Sequence, residues 1–593
     1  MSDCSQQDPR TQASSSWPAQ STLIQSPEVS SSRDARWNRR RFLRTAAAGA
    51  VGFWQSQQWS LGALDAASPQ LLYNGIRLSS PWPPRYRSLS ATPITPPYLI
   101  APPAVIPIDV GRQLFVDDFL IEQTSLSRTF HRAEYYGGNP VLQPSTDWEK
   151  FDEYAVRTKS RPNPAAMPFS DGVFYDPRDR VFKMWYMGGY GQNTCYAVSH
   201  DGIAWDKPAL DVVAGTNMVT HGVRDSSTVW LDLDESDRSR RYKMARWYDH
   251  YMELLSSSDG IHWREMGRTG LTGDRTTFFF NPFRRVWVYS LRGESLPNGI
   301  GRHRRYWETP DLFANVGWGP EEPPMWVGAD GEDPRRADLD LPCELYNLDC
   351  VAYESLVLGL FTIFRGERND REKPNDLCVG FSRDGFHWSR PDRRPFLTVS
   401  ERVGAWNWAN VQSAGGCCLV VGDELYFYVS GRRGLPGTNE PGVCSTGLAK
   451  LRRDGFVSMD AGGPAPAVER VSPAVAPGTL TTRPVRFDGR HLFANVDASA
   501  GELRVEMLDA DARPIPGFTA DACVAVRMNS THAPVTWSGS ADLARLSGET
   551  VRFRFHLTRG SLYAFWVSAS TQGASDGYLG AGGPGYSGVR DRS

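Results

Sequence analysis

The chain has 593 residues, more than one ordinary hydrophobic core holds, so its length predicts two or more domains. Its 65 basic and 67 acidic residues nearly cancel and leave a net charge of -2. This balance excludes an electrostatic case for binding nucleic acid or an anionic membrane surface.

The first 67 residues contain a segment that resembles a twin-arginine export signal. Asn38–Thr45 reads NRRRFLRT, and the short apolar run AAAGAVGFW follows it. That run is too short to span a membrane but suits the apolar part of a signal. The resemblance implies export to the periplasm or the extracellular space; a chance basic cluster is the alternative. Residues 68–103 are then predicted to be a Pro-rich leader.

One seven-residue phrase occurs three times further along. It reads SHDGIAW at Ser199–Trp205, SSDGIHW at Ser257–Trp263 and SRDGFHW at Ser382–Trp388. Asp-Gly is a strong turn dipeptide, because glycine accepts a positive φ without steric cost. An apolar strand precedes each phrase, so the phrase predicts a strand–turn–strand corner.

A second pattern recurs upstream of these corners: an Asp, a short apolar strand, a turn and an aromatic strand. Five units of this kind begin at Ser170, Arg224, Gly273, Asn347 and Asn410. Each unit predicts four strands, and self-similarity at a fixed period is typical of a β-propeller. We therefore expect an all-β chain with a five-bladed β-propeller over residues 104–460. The alternative is an ordinary sandwich with chance repeats.

The rest of the chain predicts a second β domain. Ile108–Glu134, before the first unit, is strand-rich, and we expect it to complete the last blade. Residues 461–478 are rich in Pro, Gly and Ala and predict a linker. Alternating strands over residues 479–569 predict a β-sandwich. The Gly- and Ser-rich residues 570–593 predict a disordered tail.

The nine cysteines show no CxxC pair and no histidine at metal-ligand spacing. We expect buried free thiols, no metal site and no cofactor.

A propeller followed by a sandwich on an exported chain resembles the furanosidase superfamily of glycoside hydrolases, which includes the invertase and levanase family and the arabinanase and β-xylosidase family. The phrases DGVFYDPRDRVFKMWYMGG, from Asp171, and S-x-D-G-I-x-W carry this resemblance. The chain looks most like uncharacterised secreted bacterial relatives, for which RQLFVDDFLIE and MPFSDGVFYDP are typical. The resemblance implies three carboxylates at the propeller centre: a nucleophile or base, a proton donor, and a stabiliser of the transition state.

Five acidic residues are candidates for these roles. Asp171 matches the nucleophile or base, and Asp225, after Arg224, resembles the invertase-type stabiliser with Ser226 in place of proline. Glu344 and Asp349 compete for the acid, and Asp274 begins the third inner strand. The invertase signature NDPNG is absent. For each acid, capping of a strand start is the structural alternative.

Six further residues are candidates for substrate binding. Arg224 and Arg275 lie beside acids and either bind hydroxyl groups or form ion pairs. Trp406 and Trp408 can stack on a sugar ring, with Asn410 and Gln412 bonding its hydroxyl groups.

The sequence therefore predicts a secreted, monomeric glycoside hydrolase that acts on an oligo- or polysaccharide. A non-catalytic glycan-binding propeller is the main alternative, because a fold alone does not confer activity. A propeller that binds other proteins is a third possibility.

Overall fold

The computed structural model describes residues 70–296, 298–319, 322–462, 477–539 and 542–592. The predicted export signal and most of the predicted linker lie outside these residues. Within them nearly all of the regular secondary structure is β-strand, which confirms the all-β prediction. The helical segments are short: α1 (Pro97–Ile100), α2 (Asp147–Lys150), α3 (Glu153–Thr158) and the 3₁₀ turns Arg238–Arg240 and Ala544–Leu546. None of the helices in these ranges has the length and apolar character needed to cross a membrane.

Five short strands precede the repeated units, and each pairs with a strand far later in the chain. They are β1 (Ile106–Pro107), β2 (Gln113–Leu114), β3 (Ile121–Thr124), β4 (Ser127–Phe130) and β5 (Glu134–Tyr135).

Five antiparallel sheets then follow in chain order, and their strands match the five repeated units. The first contains β6 (Ala166–Asp176), β7 (Val181–Gly188), β8 (Thr194–Ser199) and β9 (Met218–Thr220). The second contains β10 (Ser227–Leu231), β11 (Tyr242–Tyr248), β12 (Tyr251–Ser257) and β13 (Arg264–Arg268). The third contains β14 (Thr277–Asn281), β15 (Val286–Gly293), β16 (His303–Thr309) and β17 (Met325–Gly328).

The fourth sheet contains β18 (Glu344–Glu354), β19 (Leu356–Phe364) and β20 (Asn375–Ser382). The fifth contains β21 (Asn410–Ser413), β22 (Leu419–Val421), β23 (Glu424–Arg432) and β24 (Cys444–Arg452), with β5 as its outermost strand. Of the segment Ile108–Glu134, which we expected to complete the last sheet, only Glu134 lies in β5, and β2, β3 and β4 pair with strands that follow the fifth unit.

Contacts between the leading strands of these sheets form a closed circuit. Strand β6 contacts β10, β10 contacts β14, and β14 contacts β18. The fourth sheet contacts β21, and β21 contacts β6 again. The leading strands are almost wholly buried, and the five sheets share one large hydrophobic core. This circuit brings the starts of β6, β10, β14 and β18 into one region.

The three Asp-Gly corners form the same hydrogen-bonded turn. In the first, the Asp201 carboxylate accepts bonds from the backbone N–H groups of Ile203 and Ala204 at 2.7 and 2.8 Å. The Ser199 hydroxyl accepts a bond from the N–H of Gly202, whose φ of +74° suits glycine. Equivalent bonds recur in the other two corners. The repeated phrase therefore encodes one turn, used three times.

Each corner also docks on the sheet that precedes it in the circuit. The Tyr428 hydroxyl of the fifth sheet donates to the carbonyl oxygen of Gly202 at 2.5 Å. Trp185 Nε1 of the first sheet donates to the carbonyl oxygen of Gly260 at 2.7 Å, and Trp326 Nε1 of the third sheet donates to the last corner at 2.7 Å. The repeated phrase thus connects two strands of one sheet and also accepts a hydrogen bond from the neighbouring sheet.

The C-terminal strands form two further sheets around a second core. These strands are β25 (Val457–Ala461), β26 (Gly478–Thr482), β27 (Val485–Arg486), β28 (His491–Asp497), β29 (Glu502–Leu508), β30 (Asn529–Val535), β31 (Arg552–Thr558) and β32 (Gly560–Ser568). One sheet has the order β30-β28-β32-β25-β4, with β2 also on β32, and the other has the order β29-β31-β26-β3. Strand β1 pairs with β27. Residues 106–130 therefore belong to the C-terminal sheets, although the sequence boundary at 104 assigned them to the repeated units.

The tail after residue 570 is also placed differently from the sequence prediction. Strand β33 (Tyr578–Leu579) pairs with the end of β18, and Leu579 is fully buried. The Ala581 carbonyl oxygen accepts a bond from Tyr175 N–H at 3.0 Å in the first sheet, and Val420 N–H of the fifth sheet donates to the tail at 2.9 Å. The glycine-rich composition predicted disorder, but its few large apolar residues and its backbone bonds fix the tail across three sheets.

We expect Leu579→Ala to lower the free energy of unfolding by about 2–5 kcal/mol, because it removes a buried side chain from the core. Urea unfolding of the purified protein measures this loss. Leu271→Ala, at a side chain that is 61% exposed, is the matched control. Equal unfolding free energies for the two variants would contradict the placement of the tail.

Candidate functional site

Two of the leading strands carry irregularities near their starts. In β6 the register passes from Met167 opposite Met187 to Gly172 opposite Trp185, so Ser170 and its neighbours bulge out, and Ser170 has a φ of +63°. In β18 the pairing skips Tyr346. A bulge re-aims side chains and often lies beside a functional site. Here the two bulges point to one polar cluster, which we call the Arg275 site: Ser170, Asp171, Arg224, Asp225, Arg275, Asn347, Asp349 and Ser413.

Asp171 and Arg224 form a fully buried ion pair at the edge of this site. Arg224 Nη1 lies 2.7 Å from Asp171 Oδ1, and Nη2 donates to Oδ2 at 3.1 Å. Arg224 Nε also donates to the carbonyl oxygen of Gln192 at 3.0 Å. Burial raises the pKa of Asp171, although the charge of Arg224 opposes this. The pair closes the Asp171 carboxylate off from solvent.

Asp349 is held by hydroxyl and amide donors instead of a cation. The hydroxyls of Ser170 and Ser413 donate to Asp349 Oδ2 at 3.0 and 2.5 Å, and Asn347 Nδ2 donates to the same oxygen at 2.8 Å. Burial raises the pKa of Asp349, while the charge of Arg275 opposes the shift. Asp349 is therefore a carboxyl group that holds its proton more tightly than an exposed aspartate.

Arg275 lies at the middle of the site. Its backbone N–H donates to the Ser226 hydroxyl at 2.9 Å, and its Nη1 and Nη2 donate to the Phe169 carbonyl oxygen and the Ser170 hydroxyl, each at 3.0 Å. Burial lowers the pKa of Arg275, whereas the charges of Asp349 and Asp225 raise it. The charge of Arg275 in turn lowers the pKa of Asp171. Three predicted acids from three sheets therefore interact electrostatically with one buried guanidinium.

The predicted acids differ in how far solvent reaches them. Asp225 is half-buried, and its carboxylate accepts a bond from its neighbour Ser226 N–H at 2.8 Å. Glu344 is half-buried, and its Oε2 accepts bonds from Arg302 Nη1 at 2.7 Å and from the backbone N–H of Arg302 at 3.1 Å. Asp274 is paired with Arg292. Asp225 is thus the acid of the Arg275 site that solvent reaches most readily.

The predicted sugar-binding residues of the fifth unit do not share one site. Gln412 Nε2 donates to Asn410 Oδ1 at 2.8 Å, and both side chains are fully buried at the start of the fifth sheet. Trp408 is buried, and the Arg371 guanidinium lies 5.0 Å from its ring centroid.

Trp406 lies over the outer part of the fifth sheet. A Cβ at Gly431 or Gly447 would come within 2.1 or 2.0 Å of its indole, so only glycine leaves room for the ring there. The ring contacts Tyr135 of β5 edge-on, with ring centroids 5.7 Å apart, and lines a pocket of about 400 Å³. Trp406 therefore faces a different recess from the Arg275 site.

Several polar groups of this region were not found by sequence reasoning. They are Ser170, Ser413, Asn347, Tyr346, Glu372, Lys373 and Arg432. Arg432 Nη1 pairs with Glu372 Oε1 at 2.6 Å, and both residues are buried. Ser170 and Asn347 begin two of the repeated units, and Ser413 lies three residues after the start of another at Asn410. The polar residues at the starts of these units were therefore the available signal. Glu372, Lys373 and Arg432 lie in loops or at strand ends without a pattern.

Three buried acceptor atoms near the site have no hydrogen-bond donor among the described residues. They are Asn347 Oδ1, Gln412 Oε1 and Glu372 Oε2. A buried acceptor without a donor is costly. Within the described ranges, no cluster of three or more His, Cys, Asp or Glu side chains could hold a metal ion.

No protein-family model matches this chain, and no curated protein matches it. Similar solved structures include a thermostable family-43 glycoside hydrolase, at 13% identity and a TM-score of 0.35, over 53% of this chain and 99% of the other. A fructofuranosidase from Schwanniomyces occidentalis in complex with fructose is 12% identical, with a TM-score of 0.32, over 71% and 98%. A β-1,2-mannobiose phosphorylase from Listeria innocua is 12% identical, with a TM-score of 0.34, over 54% and 96%. At these values the likeness establishes neither an activity nor a substrate for this chain.

We expect Asp171→Asn to lower the free energy of unfolding by about 3–5 kcal/mol, because it leaves the buried Arg224 charge without its partner. Urea unfolding measures the loss. Asp509→Asn, which removes the exposed partner of Arg513, is the control and should change stability little. An Asp171→Asn protein as stable as this control would show that the pair does not hold the site together.

Asp349 should also leave a signature in the pH dependence of stability. Burial raises its pKa in the folded state, so its stabilising contribution is present below the ordinary aspartate pKa and is lost as the pH rises through the raised value. The unfolding free energy of the wild type relative to Asp349→Asn should therefore fall as the pH rises above the ordinary aspartate pKa.

Asp333→Asn provides the control of opposite sign for this pH experiment. Burial opposes ionisation of Asp333, but Arg390 outweighs burial and lowers its pKa. Its contribution is therefore present above the ordinary aspartate pKa and is lost as the pH falls. Equal slopes for the two comparisons would contradict the assignment of Asp349.

Proposed function

We propose that this chain is a glycoside hydrolase whose five repeated sheets are the blades of a five-bladed β-propeller, with the two C-terminal sheets as a β-sandwich. The closed circuit of contacts between the leading strands supports the blade arrangement. The two C-terminal sheets contribute side chains to one shared core, which supports the sandwich.

One observation carries the activity: Asp171, Asp225 and Asp349, from three sheets, all interact electrostatically with Arg275. Cleavage of a glycosidic bond needs one carboxyl group that keeps its proton and one carboxylate that is free to act as nucleophile or base. The raised pKa of Asp349 suits the proton donor, and the half-exposed Asp225 suits the carboxylate that meets substrate or water.

Asp171 takes a different role in this proposal from the one its sequence position predicts. Its carboxylate is enclosed by Arg224, so it positions that arginine beside Asp225 and does not attack the substrate itself. The acceptors Asn347 Oδ1 and Gln412 Oε1 would bind sugar hydroxyls. Trp406, beside its own pocket, would contact a more distant sugar unit.

The proposed setting is the periplasm or the extracellular space, reached as a folded monomer through the twin-arginine route, and the partner is an oligo- or polysaccharide. The eight described cysteines are free, and all but Cys343 are buried. Free buried thiols suit a protein that folds in a reducing interior before export.

Glycan binding without cleavage is the alternative function. The enclosure of Asp171 by Arg224 and the almost complete burial of Asp349 favour it, because a catalytic group must reach the bond that it cleaves. The two functions share a ligand class and differ in turnover.

Incubation of the protein with a panel of plant and algal glycans, followed by a reducing-sugar assay, tests the proposal. We expect turnover of at least one glycan and a loss of about 10²–10⁴-fold in Asp225→Asn, because the variant lacks the reacting carboxylate. Asp511→Asn, in an exposed turn, is the control and should retain wild-type turnover. Turnover that survives both Asp171→Asn and Asp225→Asn unchanged would refute this site. Binding on a glycan array with no turnover would establish the alternative.

A further inference from the structure

Three positively charged side chains interact electrostatically with Tyr346 beside the Arg275 site. Arg275 precedes β14, Lys373 precedes β20, and Arg432 ends β23, so each comes from a different sheet. Tyr346 itself is the bulged residue of β18 and is half-buried. A bulge re-aims the side chain of the residue that it carries.

The two arginines pack on one aromatic ring. The guanidinium carbon of Arg275 lies 3.8 Å from the ring centroid of Phe169, and that of Arg432 lies 5.1 Å from it. Arg432 also lies 5.4 Å from the ring centroid of Tyr190. Packing on aromatic faces fixes both guanidinium groups without neutralising them.

The charges of these cations are compensated unequally. The Nη atoms of Arg275 donate to a carbonyl oxygen and a hydroxyl group, which are both neutral. Arg432 has a close partner in Glu372, whereas Lys373 Nζ lies 3.7 Å from the half-exposed Glu367 carboxylate. Arg275 and Lys373 therefore keep more of their attraction for a further negative group than Arg432 does.

The direction of the Tyr346 pKa shift indicates a positive electrostatic potential at its hydroxyl group. Burial alone would raise its pKa, but the charges of Lys373, Arg432 and Arg275 outweigh both burial and the nearby Asp225, so its pKa is lowered. Tyr353, which is buried at the other end of β18, has a raised pKa, and so does Tyr190, a half-buried turn residue beside Arg432. A negative charge is thus stabilised beside the Tyr346 hydroxyl and not at the other two rings.

We propose that Lys373, Tyr346 and Arg275 bind an anionic substituent of the sugar, either a uronate carboxylate or a sulfate ester, so that the natural ligand is an acidic glycan. The inference rests on the proposed function and names the substrate class of that same site. Lys373 and Arg275 supply the charge, and the Tyr346 hydroxyl donates a hydrogen bond to the anion. The orphaned acceptors Asn347 Oδ1 and Glu372 Oε2 would take the hydroxyl groups of the same ring.

Isothermal titration calorimetry with matched monosaccharides tests the proposal without requiring turnover. The ligands are galacturonate, galactose 6-sulfate and galactose, which differ only at the sixth carbon. We expect at least one of the two anions to bind about tenfold more tightly than galactose, as one charge-assisted contact provides. The anion that gains this affinity identifies the source of the charge.

Lys373→Gln and Lys450→Gln form a matched pair of variants. Both lysines are about one-quarter exposed and pair with a glutamate, but Lys450 lies on β24 beside Glu424. Lys373→Gln should lose most of the preference for the anion and keep the affinity for galactose, and Tyr346→Phe should act in the same direction. Lys450→Gln should keep the preference.

Equal affinities for the three sugars, or an unchanged preference in both Lys373→Gln and Tyr346→Phe, would overturn the inference. Because the measurement is of binding, its result is separate from the reducing-sugar assay. Anion preference without turnover would support this inference and refute the hydrolase. Turnover without anion preference would do the reverse.

Discussion

The burial of the Arg275 guanidinium is the constraint on which the rest of the site depends. A cation withdrawn from water must be surrounded by acceptors and negative charge, or it destabilises the fold. The carbonyl oxygen of Phe169 and the hydroxyl of Ser170 provide acceptors, and the Asp225 carboxylate provides negative charge. The bulge at Ser170 and the circuit of leading strands are the means by which these groups reach one point.

This constraint explains why the acids of the site are not equivalent. Asp171 forms an ion pair with Arg224, whereas Asp349 accepts hydrogen bonds from neutral donors. Asp225 is partly exposed to solvent. The three carboxyl groups of the site therefore differ in their partners and in their exposure to solvent. Arg275, with Lys373 and Tyr346, gives the site its attraction for an anion.

The sequence predicted what local chemistry decides and missed what tertiary pairing decides. The Asp-Gly corners were readable because Ser199, Asp201 and Gly202 form their turn within a few residues. The bulge at Tyr346 was not predictable from the sequence, because the pairing register between β18 and β19 determines it and no residue type in the sequence indicates it. The tail was misjudged because its many glycines hid Leu579, whose burial depends on distant strands. Trp406 and Trp408 are close in sequence, yet they lie in different surroundings that only the packing of β5 and β23 determines.

A crystal structure of the protein soaked with galacturonate tests the central claim most directly, because it shows which recess receives a sugar. We predict density at the Arg275 site, with sugar hydroxyls in hydrogen-bond contact with Asp225 and Asn347 and the carboxylate against Lys373 and Tyr346. Density confined to the pocket beside Trp406, with the Arg275 site free of sugar, would contradict the account.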